Sequence, residues 1–304
     1  MIYTITFSPS IDYVIKDNQQ FKPDGLNRIN DYDFYCGGKG INASVVLKRI
    51  GFDNKAISFV GGKTKQFFID LLNNETIELI NFEVKDNTRI NVKYFNDETS
   101  FEINGPRTKI DQATFNQFLE LIKSFKSDDL VFVMGTCELD QLDSLLKVLV
   151  TNNIEFVLDV DLNKNLELLK YHPYLIKPNR DELSRMVDCS INNQDDILNA
   201  ADQLIKLGAK NVMVSDGKNG SYLVLNNHDT YQITIDPIKD IKSTVGAGDS
   251  LISSFVCLYK QTKDINDALI KATSISIGTA SSMWLANKSD LTKYQDKIHI
   301  KKIR

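Results

Sequence analysis

Residues 243–249, Ser-Thr-Val-Gly-Ala-Gly-Asp, combine a glycine-rich turn with a carboxylate. Apolar residues at helical spacing follow, so we expect the turn to open a helix. The first N–H groups of a helix lack intrahelical partners and bind anions. Gly246, Ala247 and Gly248 are therefore candidates for an anion hole, and Asp249 for the base that deprotonates an alcohol during phosphoryl transfer. An ordinary helix start with an acidic residue would show the same short pattern.

A second glycine cluster, Gly-Gly-Lys-Gly-Ile-Asn at residues 37–42, also precedes a helical pattern. Gly38 and Gly40 would let a ligand approach the backbone closely. Lys39 adds a positive charge suited to a phosphate, and Asn42 can both donate to and accept from hydroxyl groups. Taken alone, the cluster fits a glycine-rich turn with a solvated lysine better than it fits a binding site.

Neither of the standard nucleotide motifs is present. Gly62-Lys63-Thr64 resembles the end of a Walker A loop, but Ile57 stands where that motif requires glycine. A dinucleotide fingerprint beginning at Gly246 would need glycine at position 251, which is Leu251.

From residue 111 onward, amphipathic helices are expected to alternate with short apolar strands, which indicates a parallel sheet with helices on its faces. The expected helices are 113–125, 141–151 and 194–207, the strands are 130–135, 155–161 and 211–217, and the last part, with helices at 248–260 and 264–287, is mostly helical. Ligands bind beyond the carboxyl ends of strands in such sheets.

The first third of the chain is less regular. A strand is expected at 1–7, a helix at 41–50, a strand at 56–60 and a helix at 66–72. Two strand-like runs between 88 and 103 are split by a polar turn at 96–99, which predicts a hairpin. The segment from 12 to 34 is polar, irregular and strand-poor. We expect these two stretches to form a small appendage.

Composition narrows the class of protein. The 304 residues carry a formal charge of −4, so there is no strong basic field to hold nucleic acid. Four scattered cysteines and three scattered histidines form no metal-ligand pattern, and reduced thiols are expected. No signal peptide or membrane span is recognised, which predicts a cytoplasmic protein.

Together, the motifs at 37–42 and 244–249 give the chain a resemblance to the ribokinase-like (PfkB) family of carbohydrate kinases over essentially its whole length. Within this family it resembles bacterial 1-phosphofructokinases most, through Pro-Ser-Ile-Asp-Tyr at 9–13, Thr-Arg-Ile-Asn-Val-Lys at 88–93 and Glu-Ile-Asn-Gly-Pro at 102–106. The resemblance implies a single α/β domain over 1–304, a three-layer α/β/α fold with a mostly parallel sheet, and a β-sheet lid within 12–36 and 87–107. It also implies a homodimer formed through the lid.

Residue roles follow from the same resemblance. Asp249 would deprotonate the sugar hydroxyl that attacks ATP, beside the anion hole at 246–248. The expected sugar-phosphate contacts are Asp12, Gly37, Gly38, Lys39, Asn42 and Arg89, with Arg107 as a weaker candidate. Lys39 and Arg89 would meet the phosphate already on the substrate, because an arginine fork suits a phosphate dianion.

The nucleotide side is expected to use a Lys-Pro-Asn-Arg-Asp-Glu segment at 177–182 and a Ser-Asp-Gly-Lys-Asn-Gly loop at 215–220. The ATP contacts would be Lys177, Asn179, Ser215, Asp216, Gly217, Lys218, Asn219, Gly220 and Gly248. Asn179 and Glu182 would organise Mg²⁺ through its waters, since magnesium keeps several waters and few protein ligands.

The sequence departs from the family pattern at two places. Ser8 stands where asparagine is frequent, and Gly135-Thr136-Cys137-Glu138 replaces a Gly-Ser-Leu-Pro segment, so a substrate contact there is not assigned. The implied substrate is D-fructose 1-phosphate, giving fructose 1,6-bisphosphate. Kinases acting on tagatose 6-phosphate, on fructose 6-phosphate, or on ribose or nucleosides remain alternatives. A non-catalytic nucleotide-binding regulator is an alternative from another class.

Overall fold

Two β-sheets organise the chain in a computed structural model, which describes residues 1–16, 21, 22, 24–96, 100–163 and 165–304. The strands are β1 Ile2–Thr6, β2 Ser10–Lys16, β3 Asp31–Gly37, β4 Asn54–Ser58, β5 Glu78–Asn81, β6 Arg89–Phe95, β7 Ser100–Ile103, β8 Leu130–Met134, β9 Glu155–Asp159, β10 Leu175–Ile176, β11 Asn211–Ser215, β12 Ser221–Leu225, β13 Thr230–Ile235 and β14 Ile298–Lys302. The α-helices are α1 Lys39–Arg49, α2 Lys65–Asn74, α3 Gln112–Lys123, α4 Leu139–Thr151, α5 Arg180–Val187, α6 Gln194–Lys206, α7 Ala247–Thr262, α8 Ile265–Ser281 and α9 Asp290–Lys293.

The larger sheet has the strand order β14-β13-β12-β11-β10-β9-β8-β1-β4-β5. Its strands are parallel from β11 to β5, whereas β12, β13 and β14 pair antiparallel at one edge. The carboxyl ends of the parallel strands therefore meet on one side of the molecule, where the expected site motifs begin.

Apolar layers cover both faces of this sheet. One core joins α1, α2, α7 and α8 to the sheet, and the other joins α3, α4, α5 and α6. A strand covered on both faces needs no polar alternation, and all five residues of β8, Leu-Val-Phe-Val-Met, are buried. The expected three-layer α/β/α architecture with a mostly parallel sheet is confirmed.

The smaller sheet, which we call the lid, has the order β3-β2-β6-β7. Strands β6 and β7 form the expected antiparallel hairpin, although residues 97–99 of its turn lie outside the described residues. The expectation that 12–34 is strand-poor is wrong at both ends, because β2 runs to Lys16 and β3 begins at Asp31. Pairing with neighbouring strands stabilises these two strands, although their polar local sequence does not predict them. The rings of Tyr13 and Phe34, for example, stack with centroids 4.7 Å apart.

The C-terminal part is less helical than expected. Helix α7 matches the expectation, but α8 ends at Ser281 rather than at residue 287. Strand β14 then pairs with β13 and forms the edge of the larger sheet. All four cysteines are free thiols. Within the described ranges, no helix has the length and apolar character needed to cross a membrane.

Candidate active site

A cavity of about 760 Å³ lies between the carboxyl ends of the parallel strands and the lid. Its walls come from the lid, from the starts of α1 and α7, and from the loops after β8, β10 and β11. Of the predicted site residues, those that line it are Asp12, Gly38, Lys39, Asn42, Arg89, Lys177, Asn179, Glu182, Ser215, Gly217, Lys218, Gly220, Gly246, Ala247, Gly248 and Asp249. Residues far apart in sequence thus converge on one chamber.

The turn before α7 has the geometry of an anion site. Gly246 adopts the left-handed conformation with φ 78°, which a side chain would strain. The backbone N–H groups of Gly248 and Asp249 donate to no acceptor in the described part of the chain, whereas that of Ala247 donates to the Thr244 carbonyl at 3.2 Å. A Cβ atom on Gly248 would come within 2.9 Å of the Lys177 ammonium. Two open N–H groups and a cation therefore surround the turn.

Asp249 is buried against this turn, with 6% of its surface exposed. Its Oδ2 accepts a hydrogen bond of 2.8 Å from the side-chain amide of Asn42 at the start of α1. Burial, followed by the nearby charge of Asp159, raises the pKa of Asp249 to about 6, although Lys39, Asn42 and Lys177 oppose this shift. A carboxyl with this pKa is ionised at neutral pH and is a better proton acceptor than an exposed aspartate.

Asp159, at the end of β9, holds two lysines at the base of the cavity. Its Oδ1 lies 3.1 Å from the Lys39 ammonium and 3.9 Å from that of Lys177. Burial opposes the ionisation of Asp159 and of Lys39, but the two lysines lower the pKa of Asp159 overall, and Asp159 and Asp249 raise the pKa of Lys39. Asp159 and Lys39 are therefore held in their charged forms beside the turn.

In the lid, Asp12 is the centre of a buried polar network. Its Oδ1 accepts hydrogen bonds from Ser10 Oγ at 2.8 Å and Asn91 Nδ2 at 2.9 Å, and its Oδ2 lies 2.6 Å from the Lys93 ammonium. Gly37 does not line the cavity, but it backs this network, because a Cβ atom there would fall 2.5 Å from Asp12 Oδ2.

Arg89, at the start of β6, lines the cavity next to this network. Its Nη2 donates to the Ser8 carbonyl at 3.1 Å, while its buried Nε has no partner within the described ranges. Burial lowers the pKa of Arg89, and Asp12 partly offsets this effect. Arg107 also lines the cavity, and Ser8 Oγ accepts a hydrogen bond from the backbone N–H of Thr108 at 3.1 Å.

The loop after β11 is only partly exposed to the cavity. Ser215, Gly217, Lys218 and Gly220 line it, but Asp216 and Asn219 do not. The latter two shape the loop instead: the Asn219 side chain donates to Asp216 at 3.1 Å, and Asp216 pairs with Arg180 at 3.4 Å. Beyond this loop the cavity becomes apolar, and its walls there include Ile235, Pro237, Ile238, Ile241 and Ile277.

Asn179 and Glu182 form a capping box at the start of α5. The side chain of each accepts a 2.8 Å hydrogen bond from the backbone N–H of the other. Both line the cavity, and the buried Oδ2 of Asp159 has no hydrogen-bond partner among the described residues. In the same ranges no group of three or more His, Cys, Asp and Glu side chains could hold a metal by itself. Carboxylate and amide oxygens nevertheless fit a magnesium ion that keeps most of its waters.

The loop after β8 contributes only its first residues. Gly135, with φ 92°, and Thr136 line the cavity, whereas Glu138 is the residue that precedes α4. A hydroxyl is thus available at position 136 despite the departure from the family pattern.

A stacked contact joins the lid to the C-terminal loop. The Tyr35 ring in β3 lies on Trp284 with centroids 4.6 Å apart, and Arg49 covers the same indole at 4.9 Å. Arg49 also donates to the carbonyls of Leu285 and Ala286. A Cβ atom on Gly246 would lie 2.9 Å from Leu285, so this contact connects the lid with the turn before α7.

The sequence interpretation missed Asp159, Asn91 and Lys93. Asp159 ends a buried strand at the carboxyl edge of the sheet, a position that itself could have marked it. Asn91 and Lys93 lie in a segment already assigned to the lid, but nothing local indicates that they face inward.

The sequence and the fold of this chain are similar to those of known proteins. The sequence profile of the pfkB family carbohydrate kinases matches residues 5–285. A Bacillus subtilis protein named 1-phosphofructokinase is 33% identical over 293 residues, covering 95% of each chain. A D-tagatose-1-phosphate kinase of Bacillus licheniformis is 32% identical over 305 residues, covering 99% of each. The crystal structure of phosphofructokinase-2 from Escherichia coli with substrates and products is similar with a TM-score of 0.88 at 26% identity, over 97% of this chain and 98% of that one.

Proposed function

Because the chain belongs to the pfkB family of carbohydrate kinases and is a sugar-phosphate kinase, we propose that it phosphorylates D-fructose 1-phosphate with ATP. The product is fructose 1,6-bisphosphate, formed by direct in-line transfer to the 6-hydroxyl. The observation that carries the proposal is the burial of Asp249 on the cavity, beside two open backbone N–H groups and two lysines.

Asp249 is the general base of the proposed reaction. Its carboxylate takes the proton of the 6-hydroxyl as the oxygen attacks the γ-phosphorus of ATP. The Asn42 amide holds one carboxylate oxygen at 2.8 Å, which leaves the other for the hydroxyl. A base with a pKa of about 6 accepts this proton at neutral pH without being neutralised beforehand.

The turn at 246–248 and the lysines stabilise the charge that develops on the transferred group. The N–H groups of Gly248 and Asp249 donate to its oxygens. Lys39 was expected to meet the phosphate already on the sugar, but its contact with Asp159 supports a position at the transferred group instead, together with Lys177.

The lid holds the sugar phosphate. Asp12, Gly38 and Asn42 bind hydroxyls, and Arg89 binds the resident phosphate with help from Arg107. The unpartnered Nε of Arg89 supports this role, because a buried donor without an acceptor is costly unless a ligand supplies one. A closed lid also excludes water, which competes with the sugar for the phosphoryl group.

ATP occupies the other end of the cavity. Its phosphates lie between the 215–220 loop and the turn before α7, and its base packs on the apolar wall that includes Ile238 and Ile277. Asn179 and Glu182 hold the waters of Mg²⁺, which when bound neutralises charge on the ATP phosphates.

A homodimer formed through the lid is part of the proposal. The outer surface of the lid exposes large apolar side chains: Ile103 is 61% exposed, Tyr32 54% and Ile90 44%. An exposed apolar sheet face of this kind marks an interaction surface. The lid of a second copy carries the same apolar face and would cover it.

The second candidate substrate is D-tagatose 1-phosphate, since the relative named for that activity is as similar as the relative named 1-phosphofructokinase. The two sugars differ in configuration at one carbon.

The deciding experiment is a coupled ADP-release assay with MgATP and four sugars: fructose 1-phosphate, tagatose 1-phosphate, tagatose 6-phosphate and fructose 6-phosphate. We expect the highest kcat/KM with fructose 1-phosphate and a product that carries phosphate on carbons 1 and 6 by phosphorus NMR. A clear preference for another sugar would replace the assigned substrate. Tight ATP binding without sugar-dependent ADP release would instead support a regulator.

A further inference from the structure

Lys93 is a buried cation that the proposed mechanism leaves without a role. It lies in β6 of the lid, lines the cavity and has 7% of its surface exposed. Lysine is rarely buried to this extent unless it is paired. Its cross-strand neighbour in β7 is Glu102, yet its ammonium lies 2.6 Å from Asp12 in β2. Lys93 therefore points along the inner face of the lid toward the sugar-binding aspartate.

The remaining contacts of Asp12 show what Lys93 adds. Ser10 and Asn91 both donate to Oδ1, and Asn91 is itself fixed by the backbone N–H of Gly105 at 3.1 Å. Only Oδ2 remains for a sugar hydroxyl, and Lys93 shares that oxygen. A hydroxyl that donates to Oδ2 thus meets a carboxylate acceptor and an ammonium donor side by side.

A buried ion pair is weak evidence for a stabilising role, because apolar residues of similar volume are often as stable or more stable. An ion pair on the wall of a substrate cavity is more readily explained by ligand binding. Hydroxyl groups need both a donor and an acceptor, and Asp12 alone supplies only an acceptor.

We propose that Lys93 is a specificity-determining residue that donates to a ring hydroxyl of the ketohexose phosphate, at carbon 3 or carbon 4, next to the hydroxyl bound by Asp12. The assignment to these carbons rests on the proposed function, in which Asp249 meets the 6-hydroxyl and Arg89 the phosphate on carbon 1, so that the middle of the sugar is left for Asp12 and Lys93.

The test compares the wild type with Lys93→Met on the preferred sugar phosphate and on its 3-deoxy and 4-deoxy derivatives. We expect Lys93→Met to lower kcat/KM for the parent sugar by roughly 10- to 100-fold, the effect of losing one hydrogen bond to a charged group, and to leave KM for ATP unchanged. For one of the deoxy sugars the penalty should nearly disappear, because the partner of Lys93 is already absent. Equal penalties on all three sugars would overturn the proposal.

Lys65→Met is the matched control, since it removes a lysine whose ion pair with Glu83 lies outside the cavity; a similar sugar-specific loss there would also overturn the proposal. If Lys93→Met does not fold, Lys93→Gln keeps a neutral donor beside Asp12 and should show a smaller loss with the same dependence on the deoxy sugars. The wild-type assay identifies the substrate first, so an error in the proposed substrate is seen before any variant is measured.

Discussion

The side-chain amide of Asn42 donates a 2.8 Å hydrogen bond to the carboxylate of Asp249, although the two residues are 207 positions apart. Asn42 belongs to α1 and Asp249 to α7, so this contact joins the two glycine-rich helix starts. It fixes one oxygen of the proposed base and directs the other toward the cavity. The orientation of the base thus depends on the packing of the two helices.

Replacing the base should nearly abolish turnover. We expect Asp249→Asn to lower kcat by at least about 10²–10⁴-fold, the usual contribution of a general base. The melting temperature at pH 7.5 should not fall, because a neutral amide avoids the cost of ionising a buried carboxyl. Asp53→Asn, at an exposed position, is the control. Near-native turnover of Asp249→Asn would remove it from the mechanism.

Activity should fall at low pH because Asp249 becomes protonated. Because the pKa of Asp249 is raised to about 6, the carboxylate is protonated as the pH falls through that value and can no longer accept the hydroxyl proton. The acid limb of kcat/KM for the sugar should therefore lie near pH 6 and fall about tenfold per unit below it. In Asp159→Asn the limb should move to lower pH, since a charge that raises the pKa of Asp249 is gone. An unmoved limb in that variant would contradict the electrostatic coupling.

Arg89→Ala should change KM for one substrate and leave KM for the other unchanged. We expect KM for the sugar phosphate to rise by roughly 10- to 100-fold, from the loss of charged hydrogen bonds, while KM for ATP stays the same. Steady-state kinetics with each substrate varied in turn measures this. Arg185→Ala, which loses only an exposed ion pair with Asp161, is the control. An equal rise in both KM values would take Arg89 out of the phosphate site.

Glu182→Gln tests the magnesium assignment. Glutamine can still complete the capping box, so α5 should keep its start. With a carboxylate charge lost, we expect a several-fold higher Mg²⁺ concentration for half-maximal activity and little change in KM for the sugar phosphate. Magnesium titrations at fixed ATP give the comparison. Asp181→Asn, one position earlier and exposed, is the control, and an equal shift in both variants would argue against a specific role.

Ile103→Lys tests the proposed homodimer. Ile103 is 61% exposed on the lid, and burying an unpaired lysine charge in a lid-to-lid interface would be unfavourable. Analytical ultracentrifugation should show a dimer for the wild type and a monomer for the variant. Leu207→Lys, an equally apolar but distant position that is 42% exposed, should remain dimeric. A wild-type monomer at micromolar concentration would refute the assembly.

Local sequence signals predicted the elements that carry the site better than the contacts within it. The turn at 246–248 and the helix after it are specified by adjacent residues, and so is the alternation of strands and helices from residue 111. Pairings across the fold have no such signal. Lys39 meets Asp159 across 120 residues, and Lys93 meets Asp12 only because β2 and β6 pair in register.

The strands at the edges of the segment from 12 to 34 were missed for the same reason. Their order comes from partners such as Phe34 on Tyr13 rather than from local alternation. The edge strand β14 likewise exists because β13 offers it an unpaired backbone. At such positions, pairing with a neighbouring strand outweighs the intrinsic strand propensity of the residues.

The stack of Tyr35 on Trp284 gives the protein an intrinsic optical probe. The indole is the chain's single tryptophan; it lies in the loop behind the turn at Gly246 and stacks on a residue of a lid strand. Its emission spectrum should therefore respond when the lid shifts, so that sugar-induced motion can be followed in the unlabelled enzyme, even in variants that no longer turn over.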